Sequence, residues 1–551
     1  MTTDLDEVLI VGGAIRPHAG GEAVSSMLLR GERIVSVGTE ADCRSRAVGR
    51  FEVVDIVGGT VLPGFVDAHC HPLMYGQFDS WVDCGWEAAP AIDNVVASLT
   101  ARARTGSGPV RGKGFHHGNV TERRLLTRHD LDRVAQDREV LVFHSSGHGA
   151  MVNSWTLEAM GVTADTADPA GGHFGREADG TPDGTVWDSA ADWLTGRYGV
   201  KITNNGPNFH LPDEPMALDE QLRAAQVQMH ARGITTIVDA QVTSRELSAY
   251  LRAKQAGTLT MRAEMLVISS LIDSLEALGL CGRFGDDQLA IAGVKLYADG
   301  ALTAGTARFS EPYCCSVNDF GYLYHPKGEL AEMIARVTAL GLQAATHAQG
   351  DAAIQLVLDA HDGLARPGAL SGLRHRIEHF GGPTEAQVRQ CRDLGLWPIT
   401  QPQYLLRYGD ELIGVLGDRA QRVTPLGEIR DAGAPVVLSS DAPVCPPHPL
   451  EAVAAAVQRR TLSGQRLGSE ALRLTVAQAL RAHTFTAAAS AHREEAIGSL
   501  EEGKLADFVV LASDPLTAEV DDVVDIEVEQ TWVGGRRVFD RENPITKGHA
   551  A

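Results

Sequence analysis

The chain has 551 residues with a formal net charge of −22, and 44% of its residues are hydrophobic and 22% charged. This composition is typical of a soluble globular protein, and the length allows one large domain with an accessory domain. The negative charge argues against nucleic acid or an anionic membrane as a partner. The acidic start of the chain does not resemble a signal peptide, so we expect a cytoplasmic protein that acts on a small molecule.

Short β-rich segments occur at both ends of the chain. Near the N-terminus they are Glu7–Val11, Ser25–Leu29, Arg33–Val37 and Phe51–Ile56. Near the C-terminus, Phe508–Leu511 and Gln530–Val533 have the same character. The sequence therefore predicts a small β-sandwich assembled from both termini, residues 1–59 and 485–541.

Between these ends, residues 60–484 alternate apolar strands with helical segments such as Leu218–Arg232, Glu329–Leu340 and Ala386–Leu394. The predicted strands are Val61–Ala68, Ile234–Asp239, Arg262–Ile268, Gly293–Tyr297, Gln343–Thr346, His375–Glu378, Trp397–Thr400 and Pro435–Leu438. Such alternation indicates parallel strands in βα units. The sequence predicts an α/β fold, a (β/α)₈ TIM barrel, whose chemistry lies at the carboxyl ends of the strands.

The first two predicted barrel strands are separated by an insertion, about residues 72–217, that is far longer than an ordinary connection. It contains a predicted strand, Val140–Phe143, and we expect it to cover the mouth of the barrel. Its histidines His116, His117 and His210 lack metal-ligand spacing, so we expect them to be solvent-facing or structural. Four aromatic residues are either ordinary core or an apolar pocket for a substrate tail: Trp81, Trp86, Phe115 and Trp187.

The run that ends in His69-Cys70-His71 is the first candidate for chemistry. Two histidines one residue apart at a strand end point the same way and could hold a divalent metal ion. With 20 histidines in the chain, however, one such pair is expected by chance. The later strand ends decide the question, because they add Lys295, His347, His379 and Asp441. Each alone could cap a helix or bind a loop, but their joint placement predicts a metal centre.

These residues resemble the amidohydrolase superfamily of metal-dependent hydrolases. The resemblance lies in Pro63–His71, in the four later strand-end residues and in Ile497–Asp507, which looks like that superfamily's return into its β-sandwich. Within the superfamily, Gly147–Asn153, Val294–Gly300 and the long insertion resemble the branch typified by N-substituted formamide deformylase.

The resemblance implies two divalent metal ions, expected to be Zn²⁺. His69 and His71 would bind one ion together with Asp441, and His347 and His379 would bind the second. Lys295 would be carbamylated, so that its carboxylate bridges both ions. The alternative is a site in which Lys295 forms an ion pair with Asp299 or Asp441 and only one metal ion is bound.

The resemblance further implies hydrolysis of a carbon–nitrogen bond by hydroxide generated on the metal, with Asp441 as general base and then acid. The expected substrate is an N-substituted formamide or a small N-acyl amine. Alternatives are a carbamate or other carbonyl substrate, a nucleobase-type deaminase, and a non-catalytic barrel relative. Relatives are commonly dimers or larger, so a homodimer is expected.

Four residues are predicted to contact the substrate. His148 could hydrogen-bond the substrate carbonyl and take part in catalysis, and Asn153 follows it in the same segment. Tyr297 and Asp299 end the fourth predicted strand beside the metal centre. For His148 the alternative is a loop histidine that binds backbone, and for Tyr297 and Asp299 it is simple packing or capping.

Overall fold

The computed structural model describes residues 7–196, 199–211, 213–314, 318–364 and 372–543. Its centre is a barrel of eight parallel strands, which confirms the predicted fold class. In chain order these strands are β1 (Phe65–Cys70), β2 (Ile234–Val242), β3 (Arg262–Ile268), β4 (Leu289–Tyr297), β5 (Gln343–Ala348), β6 (Arg376–His379), β7 (Trp397–Thr400) and β8 (Val437–Leu438).

The barrel closes where β8 returns to β1. The backbone N–H of Asp441 donates to the carbonyl of His69 at 2.8 Å, and that of His71 donates to Ala442 at 2.8 Å. Below them, the backbone N–H of Ser440 donates to Asp67 at 3.0 Å. These bonds draw the segments that follow β1 and β8 together at the carboxyl end of the barrel.

The predicted first strand, Val61–Ala68, is wrong as a single barrel strand. Thr60–Pro63 instead pairs antiparallel with Phe508–Leu511 in a terminal sheet, and β1 begins only at Phe65. Gly64 separates the two, because a side chain there would lie 2.3 Å from the Thr235 hydroxyl. An unbroken apolar run does not reveal such a break, since both strands are fully buried.

Helices surround the barrel and bury their apolar faces against it. Several begin with capping boxes, as at Thr243 with Glu246 and Thr384 with Gln387, which satisfy the free N–H groups of the first turn. The helices of this layer are Pro215–His230, Ser244–Gln255, Ile272–Ala277, Lys327–Ala339, Asp351–Leu364, Glu385–Asp393, Gln403–Leu416, Leu426–Asp431, Pro449–Gln458, Val476–Ala482 and Phe485–Ser490.

Two sheets built from both termini pack face to face beside the barrel, as the fold prediction expected. One contains Glu7–Val11, Ser26–Arg30, Arg33–Gly38 and Phe51–Asp55; the other contains Ala14–Ile15, Thr60–Pro63, Phe508–Leu511, Val528–Val533 and Arg536–Asp540. Ile10 of the first sheet and Phe508 and Trp532 of the second share one buried cluster. A helix, Glu40–Arg46, follows the N-terminal strands.

The insertion after β1 forms its own sheet of six strands. In chain order these are Val82–Asp83, Val110–Phe115, Val140–His144, Gly149–Val152, Gly172–Arg176 and Pro182–Asp188. Its helices are Pro72–Gln77, Ile92–Ala103, Arg128–Asp132 and Ser154–Met160. Within the described ranges, no helix is both long and apolar enough to cross a membrane.

Candidate metal centre

The carboxyl end of the barrel brings six predicted side chains into one buried cluster. None of them is more than 8% exposed. They are His69 and His71 at the end of β1, Lys295 on β4, His347 on β5, His379 on β6 and Asp441 after β8.

The distances show how tightly these side chains converge. One nitrogen of His69, one nitrogen of His71 and one carboxylate oxygen of Asp441 lie within 4.8 Å of one another. The ring centroid of His379 is 4.8 Å from that of His69 and 4.4 Å from that of His347. The structure therefore joins the strand ends into one group, as a metal centre of one or two ions requires.

Three of the histidines are fixed in orientation by partners behind them. His69 Nδ1 is hydrogen-bonded to Glu378, and His379 Nδ1 lies 2.9 Å from the side-chain oxygen of Gln401. His347 Nε2 lies 3.0 Å from the carbonyl oxygen of Gly300. Each bond occupies one ring nitrogen and leaves the other for a ligand. This arrangement is typical of histidines that coordinate metals.

Burial keeps these imidazoles neutral. It lowers the pKa of His71 and lowers the pKa of His69, His347 and His379 well below the usual range. A histidine must be neutral to offer a nitrogen lone pair to a cation. Neutral imidazoles that converge with a carboxylate form a donor set suited to Zn²⁺ and similar divalent ions. The residues present therefore fit the implied metal.

Asp441 supplies the negative charge of the cluster. Its Oδ1 atom lies 3.2 Å from His71 Nε2 and 3.4 Å from His69 Nε2, and its Oδ2 atom accepts a hydrogen bond from the Tyr404 hydroxyl. Burial alone would raise the pKa of Asp441. The hydrogen bond with His71, electrostatic interactions with His69 and His71 and the hydrogen bond from Tyr404 together outweigh burial and lower the pKa. The carboxyl group is therefore ionised at neutral pH.

Lys295 is buried without a carboxylate partner. Its Nζ atom lies 3.4 Å from His69 Nε2 and 4.8 Å from the centre of the Tyr297 ring. Among the described residues, no carboxylate oxygen lies within the 4.0 Å of an ion pair, so the alternative of a pair with Asp299 or Asp441 is not observed. Burial lowers the pKa of Lys295 to about 8. Roughly a tenth of this amine is therefore neutral at pH 7, far more than for an ordinary lysine.

His148 reaches the cluster from the insertion. Its ring centroid is 5.5 Å from that of His347, and its Nδ1 atom lies 2.7 Å from Asp188 Oδ1. Asp188 is fully buried and also accepts hydrogen bonds from the hydroxyls of Tyr322 and Tyr324. These contacts leave His148 Nε2 as the nitrogen available to a bound molecule.

Three residues of the site have positive φ angles, a backbone conformation that residues other than glycine rarely adopt. The φ angles are 71° at His379, 57° at Asp441 and 52° at Asp188. Such conformations cost roughly 1–3 kcal/mol each and concentrate at functional positions. The fold therefore holds these three side chains in place against a local preference for another backbone geometry.

The other predicted substrate residues differ in where they lie. Tyr297 borders the metal cluster, stacks on His347 with centroids 5.0 Å apart, and donates a hydrogen bond to Gln241. Asp299 is fully buried and accepts backbone N–H groups of Gln349 and Gly350 at 3.0 and 2.9 Å. This is the capping role that the sequence analysis gave as the alternative to a substrate contact for Asp299.

Asn153 is not brought to the cluster. Its side-chain oxygen accepts from the backbone N–H of Thr156 and of Val140, and its amide donates to the carbonyls of Ala135 and Arg138. All of these bonds lie within the insertion, where Asn153 caps the helix Ser154–Met160. The prediction of a substrate contact is corrected here, because every polar group of this side chain is used to hold the insertion together.

Two neighbouring spaces lie above the barrel. The space at the metal cluster has a free volume of only about 30 Å³, whereas the adjoining pocket in the insertion has about 340 Å³. Four residues border both spaces: Met74, Gly147, Pro443 and Val444. Of the four aromatic residues considered for a substrate pocket, Trp86 lines the larger space, together with Phe78 and Tyr408. Trp81 and Phe115 are core residues of the insertion.

Several residues of the site escaped the sequence analysis. Glu378, which orients His69, also pairs with Arg376 at 2.6 and 2.9 Å, and both charges are fully buried. Two opposite charges on the same face of a buried strand were the available signal for this pair. Asp188, Gln401 and Tyr404 carried no comparable pattern, because only the fold brings them to the cluster.

The fold and the cluster define a metal-dependent hydrolase. Residues 52–539 match the model of the amidohydrolase family, and the chain belongs to that family. It is accordingly a hydrolase of carbon–nitrogen bonds other than peptide bonds.

Comparisons with individual proteins agree with this assignment. The chain is 28% identical over 550 residues to N-substituted formamide deformylase of Arthrobacter pascens, covering 98% of this chain and 99% of that protein. An uncharacterized metal-dependent hydrolase from Pyrococcus furiosus is 25% identical with a TM-score of 0.73, over 93% of this chain and 100% of that one. A second, from Pyrococcus horikoshii, shares the fold with a TM-score of 0.76 at 24% identity, over 94% of this chain and 99% of that one.

Proposed function

We propose that this enzyme hydrolyses N-substituted formamides or closely similar N-acyl amines with a very small acyl group. The observation that carries the proposal is the contrast in volume between the two neighbouring spaces. The volume of about 30 Å³ beside the metal cluster accommodates a group of about one or two heavy atoms. The adjoining 340 Å³ can take a much larger substituent on nitrogen. The similarity to a formamide deformylase supports the same substrate class.

In this proposal, six residues of the chain hold two divalent ions, with Zn²⁺ as the favoured metal. His69, His71 and Asp441 hold one ion, and His347 and His379 hold the other. Lys295, carbamylated on Nζ, would provide the shared carboxylate; its burial, its lowered pKa and the absence of an ion-pair partner for it among the described residues support this role. When bound, such ions polarise the substrate carbonyl and lower the pKa of water toward neutrality.

Asp441 is the general base and then the general acid. Because its carboxyl is ionised, it can accept a proton from the attacking water. The proton then passes to the leaving nitrogen, since an amine departs poorly without it. The hydrogen bond from Tyr404 to Oδ2 and the contact of His71 with Oδ1 hold the carboxylate in one orientation while this happens.

His148 binds the carbonyl oxygen in this scheme. When both ring nitrogens carry a proton, Nδ1–H donates to Asp188 and Nε2–H can donate to an oxygen that gains negative charge in the transition state. His148 also borders the space beside the metal cluster, where that oxygen would lie. The buried hydroxyl of Tyr324 on Asp188 keeps this pair from rotating.

The proposal is tested with two matched series of amides and the Zn²⁺-loaded enzyme. In the first series the amine is constant and the acyl group is formyl, acetyl or butanoyl; we expect kcat/KM to fall at each step because the small space cannot expand. In the second series the acyl group is formyl and the N-substituent grows; we expect kcat/KM to rise with apolar size. Released amine is the measured product.

Two variants accompany these series. Asp441→Asn should abolish turnover of every substrate, because it removes the base. Trp86→Ala should raise KM for large N-substituents and leave small ones unchanged, because Trp86 lines only the larger space. Faster hydrolysis of butanoyl than of formyl amides would contradict the proposal.

A further inference from the structure

A second group of histidines lies in the insertion, outside the cluster at the end of the barrel. It consists of His116 and His117, which follow the strand Val110–Phe115, and His144, which ends the neighbouring strand. One ring nitrogen of each lies within 4.8 Å of the others. His116 and His144 are only 3% and 2% exposed, so of the two alternatives given for His116, solvent-facing or structural, the solvent-facing one is excluded. The proposed function uses none of the three.

The sheet itself creates this group. The two strands run parallel, and Phe115 is the register partner of His144. The two residues that continue the chain beyond Phe115 therefore come to lie over His144. Ring centroids are 4.8 Å apart for His116 and His144, and 5.4 Å apart for His117 and His144.

Two of these imidazoles are neutral and face each other. Burial lowers the pKa of His117 and lowers that of His144 well below its usual range. His117 Nδ1 and His144 Nε2 are 3.2 Å apart. This is close to the separation of two nitrogens bound to one tetrahedral zinc ion, about 3.3 Å for bonds of about 2.0 Å. His144 Nδ1 lies 2.8 Å from the Ser146 hydroxyl and 3.2 Å from the backbone nitrogen of Ser146, so Ser146 holds the Nδ1 side of the ring and Nε2 faces His117.

The third histidine has a carboxylate behind it. His116 Nε2 lies 3.0 Å from Glu411 Oε2 and 3.3 Å from the carbonyl oxygen of Thr303. His116 Nδ1 accepts the backbone N–H of Gly118 at 3.1 Å, which places the lone pair of the neutral ring on Nδ1, and a metal ion bound there would replace this hydrogen bond. A carboxylate on one nitrogen with the lone pair on the other is the arrangement that orients metal-binding histidines. Glu411 also supplies negative charge next to a bound cation.

We propose that His116, His117 and His144 form a further binding site for a divalent transition-metal ion. Three imidazoles favour Zn²⁺, Co²⁺, Ni²⁺ or Cu²⁺ over the oxygen-preferring Mg²⁺ and Ca²⁺. Because His116 and His144 line the 340 Å³ pocket, the ion places a positive charge on the wall of that pocket. This site is separate from the cluster at the barrel end and does not depend on the proposed function.

The test is a metal count on the full-length chain. Chelator-treated protein is titrated with Co²⁺, and bound metal per chain is measured by mass spectrometry and by visible absorption. We expect His117→Ala and His144→Ala to bind one equivalent less than the wild type. His129→Ala is the matched control, because His129 lies in the same insertion with its side chain 64% exposed. It should bind as many ions as the wild type.

The same count separates this site from the barrel cluster. In an Asp441→Asn background, His144→Ala should still remove one equivalent. Equal metal content in the wild type, His117→Ala and His144→Ala would overturn the proposal. If a variant does not fold, crystals of the wild type soaked in Zn²⁺ decide the matter: an anomalous peak between the three rings supports the site, and no peak there refutes it.

Discussion

His148 Nδ1 lies 2.7 Å from Asp188 Oδ1, with Asp188 fully buried between this histidine and two tyrosines. The carboxylate accepts from all three side chains, so it fixes the ring of His148 with Nδ1–H directed at Asp188 and Nε2 directed away from it. Asp188 ends the last strand of the insertion, whereas His347, whose ring lies next to that of His148, belongs to the barrel. The pair therefore couples the insertion to the metal cluster.

Asp188→Asn should lower kcat by about 10²-fold with little change in KM, because the ring that donates from both nitrogens loses the negative charge that holds its Nδ1–H group. Metal content should be unchanged, since Asp188 contacts none of the six cluster residues. Asp183→Asn, in the same strand, is the control and should retain activity. If Asp188→Asn lost metal in parallel with activity, the effect would be structural and the orienting role would be wrong.

Glu378→Gln should weaken binding of the metal held by His69 about 10- to 100-fold, as is typical when the partner behind a metal-binding histidine is lost. The amide keeps the size of the side chain but loses the charge that orients His69 Nδ1 and pairs with Arg376. The measurement is competition for Zn²⁺ with a chelating dye. Glu385→Gln, with a 67% exposed side chain, provides the comparison and should bind metal normally. Equal affinities for the two variants would contradict the assignment.

Lys295 should carry a carbamate in the metal-loaded enzyme. Enzyme reconstituted with Zn²⁺ in ¹³C-labelled bicarbonate should show one carbamate carbon signal, and Lys295→Ala should lack it. The variant should also lose activity, and short carboxylic acids should restore part of it because they can occupy the position of the missing carboxylate. A wild-type spectrum without the signal, or full activity in Lys295→Ala, would remove the carbamate from the site.

The sequence predicted the barrel and the six strand-end residues because both follow from local patterns. Alternation of strands with helices indicates parallel pairing, and polar residues directly after apolar strands lie at one end of a barrel. The break at Gly64 was not predictable in this way, since it depends on the close approach of Thr235, which is distant in the chain.

The residues that orient the cluster were harder to predict for the same reason. Asp188 follows a glycine-rich stretch, and Tyr404 begins a helix after β7; neither position marks a function until the fold is known. Asn153 shows the reverse error. It follows His148, which reaches the metal cluster, but a helix begins directly after Asn153. The side chain of Asn153 caps that helix and does not reach the cluster.

Two histidines outside the site should contribute to the pH dependence of stability. The rings of His361 and His375 are 4.9 Å apart, and within the described residues neither nitrogen of His361 has a hydrogen-bond partner. Burial lowers the pKa of His361 to about 3 and that of His375 to about 4. An unfolded histidine has a pKa of about 6.5, so below that pH the unfolded chain binds protons that the folded chain does not. Stability is therefore full above pH 6.5 and falls as the pH drops toward the folded values.

His361→Leu should remove about 2 kcal/mol of the stability loss between pH 7 and pH 5, because leucine fills the apolar site without a proton to bind. Urea unfolding of both proteins at the two pH values gives the difference directly. His129→Leu removes an exposed histidine and should leave the pH dependence of the wild type intact. If the free energy of unfolding fell equally from pH 7 to pH 5 in His361→Leu and in the wild type, His361 would take up its proton in the folded state, and burial would not hold it neutral.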